Sequence, residues 1–233
     1  MDTLYIGNKN YSSWSMRPWV LMTDAGIPFT EHRVRFDAFT PDADFKRRMQ
    51  AIAPTALVPV LVQRLADGSE HAVWDSLAIA ETLAERHPDK RLWPRDAPQR
   101  ARARSLCAEL HAGFRALRGA CPQNLEAHLP EVGRRLLAEQ PEVAADLARI
   151  DAMWTTQLRE QGGPWLFGAA FGIADAFYAP VAGRIRTYGL PVSAEAAAYV
   201  ERLFQRPSVA AWVRDALAEQ DFLAFNEPYR TGR

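Results

Sequence analysis

A chain of 233 residues, 48% apolar and carrying seven tryptophans, is long enough to bury a sizeable core as one large domain or two small ones, which excludes disordered and fibrous classes. Its 28 basic and 28 acidic side chains cancel, so no net field draws in nucleic acid or an anionic membrane surface, and a small neutral or mixed-charge ligand fits better. It has only two cysteines, Cys107 and Cys121, no CxxC, no zinc-like His/Cys spacing, no basic leader and no apolar run of about 18 residues, so a cytoplasmic chain with reduced thiols, no metal and no membrane span is expected.

Residues 3–6 (TLYI) predict a short strand, and residues 15–25 predict a helix, with Met16, Trp19, Val20, Leu21 and Ala25 apolar and Gly26 as its stop. Residues 29–36 (FTEHRVRF) are rich in β-formers, and PDADFKRRMQAI supplies Pro and Asp for a helix start followed by an amphipathic remainder. VPVLVQRL and HAVW flank ADGS, and an Asp-Gly pair between apolar strand candidates predicts an antiparallel hairpin. WDSLAIAETLAERHP then reads as a helix with Asp75 or Ser76 as N-cap and Pro88 closing it. The order is βαβαββα.

After Pro88 the texture changes. PDKRLWPRDAPQ holds three prolines in twelve residues, and no convincing strand follows. We therefore expect a first domain at 1–87, a linker at 88–96 and an all-helical domain at 97–233. Helical patterning runs through 97–121, 142–161, 173–188, 193–205 and 207–219. Arg100, Arg102 and Arg104 do not align on one helical face and read as solvated surface.

Three stretches carry chemistry. NYSSWSMRPW places Ser12, Ser13 and Ser15 where a strand hands over to a helix, whose unpaired N–H groups and positive dipole end favour an anion; equally, one serine can cap the helix while the others are solvated. PTALVPVL puts Pro59 at a strand start, where a cis Val58-Pro59 bond would turn the Val58 backbone toward a cleft, although most X-Pro bonds are trans. WDSLAIAE offers Asp75 and Ser76 at a second helix N-terminus, either as a plain cap or as a site. There the N–H groups and the Ser76 hydroxyl suit a carboxylate, and Asp75 suits an ammonium, which together make an α-amino acid head group.

In order and spacing these motifs, with RLWPRD at 91–96 and GIADAFYAPV at 172–181, resemble a glutathione transferase over both domains, of the serine-type, zeta/tau-like bacterial kind. The resemblance implies a thioredoxin-like α/β domain joined to an all-α domain, glutathione as co-substrate, a small apolar electrophile at the domain interface, a detoxifying role and a homodimer. It places the γ-glutamyl group at Asp75 and Ser76 and the cysteinyl unit on the Val58 backbone. Anchored on Arg17, its register selects Ser12 as the hydroxyl facing the sulfur, with Ser13 and Tyr11 as the other hydroxyls in reach; Arg17 either sits near the thiolate or pairs with an acid. Ser12 is then a hydrogen-bond donor to a thiolate and not a nucleophile.

The chain departs from the pattern in places. Trp14 stands where the zeta class, whose members isomerise maleylacetoacetate, has a cysteine, which weakens an isomerase reading. Gly172 replaces the usual Ser or Thr of the helical-domain capping motif, leaving Asp175 a folding element. Leu57 replaces an often polar neighbour of glutathione, so the glycyl carboxylate is assigned jointly to Lys46, Arg47 or Gln50. Cys107 and Cys121 read as core, Leu110, Phe114 and Leu117 as core or pocket wall, and Trp165 and Phe167 as packing anchors of the GGPWLFG loop. The leading reading is a transferase conjugating glutathione to apolar electrophiles. A glutathione-dependent isomerase, lyase, peroxidase or dehalogenase, and a non-catalytic glutathione-binding or interaction protein, are the competing ones.

Overall fold

The computed structural model describes residues 1–233. Strand β1 (Asp2–Ile6) buries Leu4 and Ile6 completely on one face while Tyr5 faces the other way, the period-two alternation that commits a strand to two layers. It pairs in parallel with β2 (Phe29–Arg33) and antiparallel with β3 (Val60–Arg64), which pairs antiparallel with β4 (Glu70–Trp74) through the Asp67–Gly68 turn. The sheet order is β2-β1-β3-β4.

Helices α1 (Ser13–Asp24) and α3 (Ser76–Arg86) cover the Leu4, Ile6 and Leu61 face. The short α2 (Asp44–Gln50) covers the other, packing Phe45 and Met49 against Val34, Phe36 and Val60. This is a thioredoxin-like layer sandwich with a helical domain attached. A turn of 3-10 helix at Pro88–Lys90 leads through an extended linker to Asp96, which caps α4 (Ala97–Ala112) by accepting from the Gln99 N–H at 2.9 Å.

The helical half continues as α5 (Arg115–Ala120), α6 (Pro130–Glu139), α7 (Pro141–Gln161), α8 (Ile173–Tyr188), α9 (Ala194–Gln205) and α10 (Pro207–Ala218). Helix α8 is its axis: only Arg186 escapes burial along its length, and it packs against α4, α6 and α9 and, across the domains, against α1. The capping motif holds its start. Asp175 accepts from the Gly172 N–H at 3.0 Å, the Leu166 N–H at 3.0 Å and the Tyr199 hydroxyl at 2.7 Å, and complete burial still pushes its carboxyl up to about 6. Trp165 packs edge-on against Phe171 and Tyr199. No helix is long and apolar enough to cross a membrane.

Three features differ from expectation. The helix anticipated over 97–121 breaks at Gly113–Phe114, because Phe114 takes a left-handed conformation (φ 52°) and a Cβ on Gly113 would lie 2.7 Å from the Glu109 carbonyl oxygen. Arg118 folds back over the break, its Nη1 donating to the carbonyls of Leu110, His111 and Gly113 at 3.1, 3.2 and 3.1 Å. Helix α6 was not anticipated. It crosses the end of α8 so closely that Gly133 has no room for a side chain beside the Tyr188 carbonyl.

The third feature is the C-terminal segment, which returns to the first domain. Glu219 accepts from the Lys9 N–H at 2.7 Å, Asp221 from Asn8 at 3.0 Å and from Arg35, and Leu223 enters the core beneath α2. A second tie lies at α10, where Arg206 and Ser208 hold Asp24 at the end of α1.

Candidate functional site

Two helix N-termini converge. At α1, Ser12 is the N-cap: its Oγ accepts from the Ser15 N–H at 3.3 Å and bonds the Ser15 Oγ at 2.8 Å, while the Gly7 N–H donates to the Ser15 Oγ at 3.1 Å. The two hydroxyls thus tie the end of β1 to the start of α1. Ser13 opens instead onto a cavity and accepts from the Arg184 Nη2 at 3.3 Å. Tyr11 turns away: its hydroxyl donates to Glu227 at 2.7 Å, and burial beside that acid pushes the phenol up to about 12.

At α3, Asp75 is the N-cap in a left-handed conformation (φ 75°). Its Oδ1 accepts from the Leu77 N–H at 2.7 Å and its Oδ2 lies 3.2 Å from the His111 Nε2. Ser76, fully buried, accepts from the Arg17 Nη1 at 3.4 Å. Arg17 therefore joins the two N-termini from behind. It is 2% exposed, its Nε has no partner, and no carboxylate bonds to it; burial, with help from Arg118 and Arg184, lowers it to about 9.

A groove of about 240 Å³ runs between these elements, walled by Trp14, Thr55, Leu57, Val58, Pro59, Trp74, Asp75 and Ser76. The Val58–Pro59 bond is cis. Of the residues singled out by sequence, Val58, Asp75 and Ser76 share this groove, Arg17 stands behind Ser76, and Ser12 lies at the head of α1 outside its walls. Lys46 donates from Nζ to the Ala56 carbonyl at 3.1 Å, next to Leu57, whereas Arg47 is held by Asp42 and Asp44 and Gln50 is exposed.

On the far side of Trp14 lies a second cavity, of about 410 Å³, lined by Ser13, Trp14, His111, Ala112, Arg115, Arg118, Gly119 and Arg184. Of the three serines only Ser13 lines it, and its other walls are mostly charged or polar rather than the apolar ones expected. Leu110 and Leu117 turn into the core, as do Cys107 and Cys121, whose thiols burial pushes up, Cys121 to about 12. The Trp14 ring packs against two guanidiniums, with the Arg17 Cζ at 4.2 Å and the Arg118 Cζ at 4.6 Å from its centroid, and meets His111 edge-on at 5.1 Å.

Sequence reasoning did not single out His111, Arg115, Arg118 and Arg184. One signal was present: Arg184 is a cation in the mostly apolar run AFYAPVAGRI of α8, a placement that demands a reason. A further cavity of about 420 Å³, with Phe167 on its wall, lies between the linker and the start of α8 and shares no residue with the other two.

Residues 11–86 match the glutathione S-transferase N-terminal domain, and residues 97–215 match the glutathione S-transferase C-terminal domain. The chain belongs to the glutathione S-transferase family. Among solved structures, a glutathione transferase homologue from Burkholderia with bound glutathione superposes with a TM-score of 0.68 at 25% identity, over 93% of this chain and 98% of that one. A glutathione transferase from Methylococcus capsulatus gives 0.67 at 23% identity, over 94% and 100%, a likeness of fold. A probable maleylacetoacetate isomerase of Caenorhabditis elegans is 39% identical over 72 residues, 31% of either chain, so this transferase-family chain matches under a third of that relative's length.

Proposed function

We propose that this family member binds glutathione in the groove beside Trp14 and adds its sulfur to a small electrophile held on the other side of the indole. One observation carries the reading: Asp75, Ser76 and the start of α3 face Val58 across a single groove. The Asp75 carboxylate supplies the partner an α-ammonium needs, and the Ser76 hydroxyl with the first N–H groups of α3 supplies donors for the α-carboxylate. The Val58 backbone pairs with the cysteinyl unit, and the glycyl carboxylate is assigned to Lys46, supported by its Nζ donating to the Ala56 carbonyl next to the groove wall at Leu57.

Ser12 is the proposed donor to the sulfur, which makes the protein a serine-type, zeta/tau-like transferase. The Ser12 hydroxyl donates to the Ser15 Oγ, which also receives the Gly7 N–H; for Ser12 to face the sulfur this pair of hydroxyls inverts on binding, Ser15 giving its proton to Ser12 and Ser12 turning its own toward the ligand. A cysteine-like thiol near 8.5 needs about 1.36 kcal/mol for each unit it falls. One hydrogen bond to a charged acceptor contributes roughly 1.5–3 kcal/mol, so one hydroxyl and the α1 dipole suffice. Ser13 is the second candidate, since its oxygen takes the Arg184 N–H and its proton is left for the sulfur. The same half-site would serve a homodimeric, cytoplasmic, detoxifying transferase. It would also serve a glutathione-dependent isomerase, for which the 72-residue match speaks.

Retention on immobilised glutathione, followed by turnover of aryl halides, epoxides, hydroperoxides and a maleyl substrate, tests the proposal. Retention with turnover that Ser12→Ala abolishes and Ser13→Ala spares supports it, and the reverse pattern reassigns the donor. Retention with no turnover leaves a glutathione-binding protein; failure to bind glutathione overturns the reading.

A further inference from the structure

The second cavity has a charge that conjugation of an apolar electrophile does not require. Arg115, Arg118 and Arg184 line it, and Arg17 packs against the Trp14 ring that forms one of its walls. None of the four bonds a carboxylate. Arg115 donates to the Ala112 carbonyl, Arg118 to the three carbonyls that end α4, Arg184 to the Cys121 and Pro180 carbonyls and to Ser13, and Arg17 only to Ser76. Of the nearby acids, Asp75 contacts the cavity-lining His111 and accepts the Leu77 N–H, and Asp146 accepts the Leu117 N–H, so neither bonds an arginine of the group.

Burying guanidiniums together without a counter-charge is costly, and Arg17, Arg118 and Arg184 are all lowered, each by burial first and by a neighbouring guanidinium next. Backbone carbonyls and one indole offset only part of that cost. An anion in the cavity would offset the rest, because carboxylate and guanidinium match in geometry as well as charge.

We infer that the cavity walled by Ser13, Trp14, Arg115, Arg118 and Arg184 is a subsite for an anionic electrophile, a small unsaturated or aryl compound carrying at least one carboxylate. The inference deepens the glutathione-conjugation reading and rests on it for the identity of the nucleophile. Trp14 is the shared wall, so a carboxylate on the arginines sets the rest of the molecule toward Ser13 and the glutathione groove. For a chlorinated ring the step is a substitution. The thiol proton passes to water, the thiolate sulfur bonds the ring carbon that carries chlorine, the C–Cl bond breaks, and chloride leaves with the electron pair.

Two probes that differ in one charge test this: chlorodinitrobenzoate and its carboxamide. Calorimetric titration of the protein with each, without glutathione, is expected to show the acid binding about tenfold tighter or more. Arg118→Gln should erase most of that preference. Because Arg118 also holds the end of α4, exposed Arg115→Gln is the second variant, expected to reduce the preference by a few-fold. Equal binding of acid and carboxamide, or a preference that survives both substitutions, would overturn the subsite. Glutathione is titrated separately. Loss of glutathione binding with the acid preference intact sinks only the conjugation reading, while faster turnover of the acid at saturating glutathione joins the two.

Discussion

The two sides of Trp14 are built on opposite electrostatic plans. The groove side is walled by Leu57, Val58, Pro59 and Trp74, with one carboxylate at Asp75 and neutral donors at Ser76 and the start of α3. The cavity side offers guanidiniums and no acid. A zwitterionic head group suits the first and an anion the second, and on the proposed reading the indole between them would sort two ligands by charge. The ring also offsets part of the cost of that charge, since both the Arg17 and the Arg118 guanidinium pack against it.

The contrast breaks most sharply at Asp75. Replacing it with alanine should weaken glutathione binding by roughly ten- to a hundredfold, the loss of one charged hydrogen bond. Asp75→Asn separates two roles, because asparagine caps a helix as well as aspartate does but leaves an ammonium unpaired. Calorimetry that finds Asp75→Asn equal to wild type would remove the ammonium contact from the account.

Next in size is Ser12→Ala. The thiol of bound glutathione should rise by about one to two units, seen as thiolate absorbance during a pH titration. Because Ser12 caps α1, urea unfolding should also show a loss of about 1 kcal/mol. The same stability loss without a change in the thiol titration would make Ser12 a cap only.

Trp14→Ala sharpens the comparison from the middle. With the ring gone, Arg17 and Arg118 lose their shared partner, and a stability cost of about 1–2 kcal/mol is expected in urea unfolding, smaller when salt screens the two cations. Lys46→Gln should raise the KM for glutathione by up to about fivefold, the worth of a partly exposed ion pair, with kcat unchanged.

The smallest effect belongs to His111, which touches both sides through Asp75 and Trp14. Burial first, and Arg17 and Arg118 after it, hold its imidazole below 6.5, against the pull of Asp75. The unfolded chain therefore takes up this proton before the folded one does. The contribution is present above pH 6.5 and fades as pH falls below it. His111→Gln should flatten that part of the stability profile, measured as urea midpoints between about pH 5 and 8.

Much of the architecture was legible because its signals are local. Asp67–Gly68 dictates a hairpin whatever surrounds it, the caps at α1 and α3 come from the serines and Asp75 singled out there and act through bonds within three residues, and Gly172 with Asp175 opens α8. The break at Gly113–Phe114 was not legible, because Leu110, Phe114 and Leu117 keep a helical spacing across it. The break sits at the left-handed Phe114, and the bonds by which Arg118 holds the freed carbonyls span five to eight residues, which a four-residue view of propensity does not contain. Helix α6 and the returning C-terminal segment were missed for the same reason, since Gly133 and Leu223 acquire meaning only from Tyr188 and the core beneath α2.

By itself, the sequence determined the βαβαββα order and the helical second half and narrowed the two helix starts to a few serine and aspartate caps, because hydrophobic period, turn chemistry and capping act over a few residues. Only the tertiary structure decided which hydroxyl opens on which cavity, that Tyr11 belongs to Glu227, and that Arg17, Arg118 and Arg184 gather around one indole. Charges on α1, α5 and α8 are far apart along the chain, and their mutual field exists only once α8 packs between the two domains.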